Sequence, residues 1–143
     1  MKYSCTVMID RPIAEVIDKF DSTENLHNWQ PTLKATEHLS GEPGQPGAKM
    51  KLTYDQRGRD MFMVETINDR SFPTSFSATY EAPGVVNPCV NRFEDLGNQT
   101  RWTMDTEFRF SGFMAIISLF MRGAFPRETQ KMMDQFKSWV EST

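Results

Sequence analysis

The chain has 143 residues, 16 of them Lys or Arg and 19 Asp or Glu, for a formal net charge of −3. That length suits one domain (1–143) with a real core, and the acidic balance offers no field for polyphosphate, which argues against a nucleic-acid partner. The longest apolar run, Phe113 to Met121, is broken only by Ser118 and is about half of the roughly 20 residues a membrane span needs.

The chain opens directly into a strand pattern, with no signal peptide. Tyr3, Cys5, Val7 and Ile9 alternate onto one face of a half-buried strand over Lys2 to Ile9. Asp10 is placed to cap a helix with Pro12 in its first turn, and Ile13, Val16, Ile17 and Phe20 form its stripe. Asp21-Ser22 starts a second short helix reaching about Asn28. Pro31 ends it, since the residue before proline avoids helical dihedrals.

Thr32 to Ser40 reads as a strand with Leu33, Ala35 and Leu39 inward and His38 outward. The Gly41–Gly47 loop is turn-rich. It lacks a Lys-[Ser/Thr] pair and leads into a strand, so it is not a phosphate cradle. Lys49 to Asp55 puts Met50, Leu52 and Tyr54 on one face, and Arg57 to Asp60 is a hairpin turn. Asp60 to Asn68 is a strand of open facing: Met61, Met63, Glu65 and Ile67 lie on one side, Phe62, Val64 and Thr66 on the other. A one-residue register difference decides whether Glu65 meets the interior or the solvent.

Ser75 to Glu81 aligns Phe76, Ala78 and Tyr80, and Pro83-Gly84 turns the chain. Val86 to Glu94 aligns Asn87, Cys89, Asn91 and Phe93. After the Leu96-Gly97-Asn98 turn, Thr100 to Phe110 aligns Trp102, Met104, Thr106, Phe108 and Phe110. Phe113 to Met121 is apolar nearly all round, so it must be covered: as a lid over a cavity mouth, as a dimer face, or against lipid. Phe125 to Val140 is a long helix whose stripe is Phe125, Met132, Met133, Phe136, Trp139 and Val140.

One long helix and a run of strands bury their faces against each other, and short connections make the sheet antiparallel. A curved sheet gripping a helix leaves a gap, hence a pocket. Ten methionines supply flexible apolar lining. Cys5 and Cys89 sit in strand patterns without metal-ligand spacing, as expected for reduced, buried thiols of a cytoplasmic protein. No cofactor is expected.

The element order, with Asp10-Arg11-Pro12-Ile13-Ala14-Glu15-Val16 and Leu26-His27-Asn28-Trp29-Gln30-Pro31, resembles the SRPBCC (START-like) superfamily. Val64-Glu65-Thr66-Ile67 and Phe136-Lys137-Ser138-Trp139-Val140-Glu141 are similar to it too. The likeness covers nearly the whole chain and is nearest to bacterial polyketide cyclase/dehydrase-like proteins. It implies an α+β helix-grip fold: seven antiparallel strands wrapped around the C-terminal helix over a deep cavity, with the first strand beside both the second and the seventh. Cys5 and Cys89 would then lie on non-adjacent strands, too far apart for a disulfide.

The residues expected to line such a cavity are Trp29, then Met50, Leu52 and Tyr54, then Met63, Glu65 and Ile67. Phe76, Tyr80, Asn91, Trp102, Met104 and Phe108 follow from the later strands. Phe120 would come from the lid, and Met132, Met133 and Phe136 from the long helix. Glu65 and Asn91 would mark one polar spot that orients an amphipathic ligand. The expected function is binding of an apolar or amphipathic small molecule, by a monomer or homodimer. Two alternatives stand beside it. One is an enzyme of cyclase, dehydratase or hydrolase type on an aromatic or polyketide-like substrate, with Glu65 as acid/base. The other is a protein- or lipid-interaction domain acting through Phe113–Met121.

Overall fold

The computed structural model describes residues 1–143. Strands β2 (Leu33–Ser40), β3 (Lys49–Gln56), β4 (Arg59–Ser71), β5 (Ser75–Ala82), β6 (Val85–Asp95) and β7 (Thr100–Glu107) follow one another through short turns. Such turns permit only antiparallel pairing between neighbours. Two of them have only two residues, Arg57-Gly58 and Pro83-Gly84; in the first both residues take positive φ, 53° and 84°, the conformation that matches the right-handed strand twist. Strand β1 (Lys2–Ile9) pairs with β7, from Lys2 opposite Glu107 to Ile9 opposite Thr100. The sheet order is β1-β7-β6-β5-β4-β3-β2, and a two-residue β8 (Arg109–Phe110) adds to β6.

The sheet grips α4 (Ala124–Glu141), as the helix-grip expectation holds. It is open between β1 and β2, however: β1 pairs only with β7, and β2 only with β3. Between β1 and β2 the chain forms α1 (Ile13–Phe20), a 3-10 turn (Thr23–Asn25) and α2 (Leu26–Trp29), and α2 packs on both α4 and β2. Pro12, not Asp10, occupies the N-cap of α1. The Asp10 backbone N–H instead donates to Glu141 Oε2 at 2.7 Å, tying the end of β1 to the end of α4.

Helix α4 is used differently along its length. Met133, Phe136 and Val140 are fully buried, in a core with Ile9, Val16, Trp29, Phe93 and Trp102. Burial of each such side chain is worth about 1.5–3 kcal/mol. Nearer its N-terminus, Glu128, Thr129 and Met132 face open space above the sheet. A second small core is formed by Ala48, Ile67, Phe76 and Ala78, and Phe20, Phe72 and Tyr80 pack against both clusters. Cys5 and Cys89 are buried and unbridged.

Strand β2 departs from its expected facing. Register shifts fall between Leu33 and Ala35 and between His38 and Ser40, and such bulges invert the inside–outside alternation. Ala35 and Leu39 therefore face away from the cavity, while Thr36 and His38 are on its side, although all four remain exposed. As an edge strand, β2 has little core to enforce the alternation.

Candidate functional site

The space beneath the N-terminal half of α4 is a cavity of about 920 Å³, within the range of roughly 300–1,000 Å³ typical of small-molecule sites. Cross-strand register builds its walls. Met50, Leu52 and Tyr54 of β3 stand opposite Glu65, Met63 and Met61 of β4. All six line the cavity, and Ile67 joins them. The methionine side of β4 is thus inside, and Glu65 with it. Phe62, on the other side, is exposed beneath Lys51, whose ammonium sits 4.3 Å from the ring centroid.

The later strands contribute Phe76, Tyr80, Asn91, Trp102 and Met104, with Phe108 beyond the end of β7. Trp29 from α2 and Met132 from α4 complete the predicted set that reaches the cavity. Met133 and Phe136 do not line it. They point from α4 into the packed core, because successive helical residues are 100° apart and only the Met132 face lies over the gap. Phe120 is also elsewhere, at 86% exposure. The chain leaves the sheet at Gly112, whose φ of 59° favours glycine, and α3 (Phe113–Phe120) then runs outside the cavity. The expected lid is not over the cavity mouth.

A polar row crosses the apolar wall. Glu65 pairs across the sheet with Tyr80, and Tyr80 with Asn87. Next to Asn87, Cys89 pairs with Thr106, and Thr106 with Tyr3. Asn87 Nδ2 donates to Thr106 Oγ1 and to the Glu107 carbonyl, each at 2.7 Å. The Tyr3 hydroxyl lies 2.7 Å from Thr129 Oγ1 of α4. Burial pushes the Tyr3 phenol up to about 12 and the Cys89 thiol above its usual range.

Glu65 is the one acid in this row. Burial raises its carboxyl above the usual glutamate value, and hydrogen bonding from the facing Tyr80 hydroxyl partly offsets the rise. Tyr80 is raised in turn, by burial and then by the Glu65 charge. Tyr54 is raised for the same two reasons, and its hydroxyl donates to Gln30 Oε1 at 2.6 Å. No cation contributes to the Glu65 shift, so the carboxyl keeps acceptor capacity for whatever enters the cavity.

Asn91 behaves differently from expectation. Its Oδ1 accepts from Trp102 Nε1 at 2.9 Å, and its Nδ2 donates to the Phe76 carbonyl at 3.3 Å. The amide is committed to holding the wall. The polar spot around Glu65 is made by Tyr80 and Tyr54 instead, with Asn87 next to Tyr80 and itself held by Thr106, the Glu107 carbonyl and Cys89. Trp29 is almost wholly buried and packs edge-on against Phe136 at 5.0 Å, yet its Nε1 has no partner.

Cys89, Thr106 and Arg70 line the cavity outside the predicted set. Cys89 and Thr106 share strand parity with Asn91 and Met104, a signal that was present in the alternation. Arg70 gave none: a register shift between Ile67 and Asp69 turns it inward. There its Nη1 donates to Asp21 Oδ1 at 2.6 Å and to the Gly44 carbonyl at 3.4 Å, joining three chain segments at one rim.

The sequence matches, over residues 1–141, the family described as polyketide cyclase / dehydrase and lipid transport. No sequence among the curated proteins matches it. Similar folds occur in Ara h 8.0201, with TM-score 0.81 and 14% identity over 100% of this chain and 99% of that one. TTHA0849 from Thermus thermophilus aligns with TM-score 0.78 and 10% identity, over 99% and 98% of the two chains. The di-domain ARO/CYC BexL from the BE-7585A biosynthetic pathway aligns with TM-score 0.77 and 13% identity, over 99% of this chain and 46% of its own. At these identities the likeness is one of fold. The family match covers nearly the entire chain, and the protein belongs to the polyketide cyclase/dehydrase and lipid transport family.

Proposed function

We propose that the protein binds an apolar or amphipathic small molecule between the sheet and α4. The observation that carries this reading is a cavity of about 920 Å³ whose largely apolar wall is interrupted by Glu65, Tyr80 and Asn87. Methionine, aromatic and aliphatic side chains would take the body of the ligand, and Glu65 would orient a hydrogen-bond donor at its polar end. The two buried free thiols fit a reducing, cytoplasmic setting.

The test is titration of native protein with long-chain and aromatic ligands, read by tryptophan fluorescence, since Trp29 and Trp102 both line the cavity. A saturable quench or blue shift is expected. A flat response across a broad apolar library, with no small molecule carried through native purification by mass spectrometry, would sink the proposal.

A second reading rests on Glu65 alone. A carboxyl whose hold on its proton is strengthened by burial, facing a tyrosine hydroxyl, can give a proton to a ligand carbonyl and take one back. Under that reading Glu65→Gln abolishes turnover of a cyclisable aromatic or polyketide-like substrate while binding survives. Unchanged turnover would remove Glu65 from any such chemistry.

A further inference from the structure

Helix α3 presents the most unusual surface of the molecule. Phe113, Leu119 and Phe120 are 74%, 65% and 86% exposed, and Ile116 and Met121 stand beside them. Spacings of three and four residues put Phe113, Ile116, Leu119 and Phe120 on one face of the helix, and Met121 follows at its end. The opposite face holds the helix to the protein through Met114, Ile117 and Ser118. Contact there is close: a Cβ built on Gly84 would lie 2.8 Å from Met114 Cγ, and the Ser111 N–H donates to the Gly84 carbonyl at 3.0 Å. The outward face is therefore fixed outward. A water-facing surface rarely keeps so many large apolar side chains together unless something covers them.

The chain's own cavity does not. No residue of α3 lines it, and Phe108, which does, is screened by Phe110 and Phe125, with Phe125 4.9 Å from Phe108 and 5.3 Å from Phe110. The charges around the helix point to a different occupant. From Phe108 to Arg127 the chain carries Arg109, Arg122 and Arg127 and no acid, although the whole protein has a net charge of −3. Arg109 pairs with Glu107 at 2.9 Å. Arg122 and Arg127 are exposed, and neither belongs to any of the molecule's ion pairs. An anionic lipid surface would meet both features, taking the apolar side chains below its headgroups and the guanidinium groups at the phosphate level.

We propose that α3 docks the protein on anionic lipid bilayers, in the plane of the interface. No helix is long and apolar enough to cross, so attachment is peripheral and reversible. A membrane is then where an amphipathic ligand would be collected or released, although the docking itself does not depend on the ligand reading.

Co-sedimentation of the full chain with phosphatidylcholine vesicles, with and without phosphatidylserine, tests this. The native protein should pellet with the anionic vesicles and much less with the neutral ones. Leu119→Asp/Phe120→Asp should abolish pelleting, with unchanged far-UV circular dichroism because both side chains are exposed. Should that variant misfold, Arg122→Ala/Arg127→Ala leaves the apolar face intact and should weaken partitioning about thirtyfold, at about fivefold per arginine near a charged surface. Failure to pellet, equal binding to neutral vesicles, or indifference to the arginine changes would overturn the proposal. So would a stable dimer that Leu119→Asp dissociates, which would assign the face to a second copy of the chain. Ligand titration by tryptophan fluorescence without vesicles reports on the cavity separately.

Discussion

Phe136 separates two accounts of α4. If it were cavity wall, truncating it would enlarge the binding space and cost little. In the structure it is fully buried, with its ring 5.0 Å from Trp29, 5.2 Å from Trp102, 5.9 Å from Phe20 and 6.1 Å from Trp139. Three of these contacts are nearly perpendicular, the edge-to-face arrangement that aromatic quadrupoles favour. Phe136→Ala should therefore cost the upper part of the usual phenylalanine range, about 4–5 kcal/mol. A domain of this size loses roughly 3 °C per kcal/mol, so Tm should fall by about 12–15 °C. The change would consume a large share of the total stability of such a domain, which is about 7–15 kcal/mol. Thermal and urea unfolding followed by circular dichroism measure this directly. A loss below about 1 kcal/mol would refute the packing argument, most clearly if the variant also accepted bulkier ligands than the native protein.

Glu65→Gln should change the pH dependence of stability. The native carboxyl is raised above its unfolded value of 4.5, so the folded protein holds that proton longer, and stability falls as pH rises through the interval between the two values. The variant lacks this loss. Its Tm relative to the native protein should be highest at neutral pH and should decline as pH drops toward about 4; a constant difference would contradict the desolvation account. Asn91→Ala leaves the buried Trp102 N–H without its acceptor and should destabilise by about 1–3 kcal/mol, while affecting ligand affinity less than Glu65→Gln does. The opposite ranking would make Asn91 a ligand contact. Arg70→Met removes the tie from β4 to Asp21 and Gly44. Because that pair is partly exposed, stability should change by no more than about 1 kcal/mol, and stopped-flow fluorescence should show ligand entering and leaving faster at similar Kd. Unchanged rates would mean that ligands use another opening.

The strands and α4 were legible because their apolar residues repeat cleanly at periods of two and of three to four. Trp102, Met104 and Phe108 on β7 and just beyond it illustrate the first, and Met133, Phe136 and Val140 the second. What escaped detection has local physical causes. Bulges leave no mark in the hydrophobic pattern, so the inward turns of Arg70 and His38 could not be read from alternation. The facing of Glu65 was ambiguous because β4 is apolar on both sides, with Phe62 on the outer face covered by Lys51 rather than by a core. Helical periodicity brought Met132, Met133 and Phe136 to one stripe, but a stripe does not say where along the helix the sheet makes contact. The apolar character of α3 was plain, whereas its placement depended on the backbone turn at Gly112 and the close contact at Gly84.

Met132 and Met133 are adjacent in the chain, yet one faces the open space and the other lies sealed in the core. Substitutions at Thr129 and Met132 can therefore reshape what the cavity accepts, while Met133, Phe136 and Val140 continue to hold the helix down. Under the proposed binding function, selectivity and foldedness are thus under nearly independent control within one segment. A lineage built this way could change its ligand by a few mutations without first accumulating surplus stability.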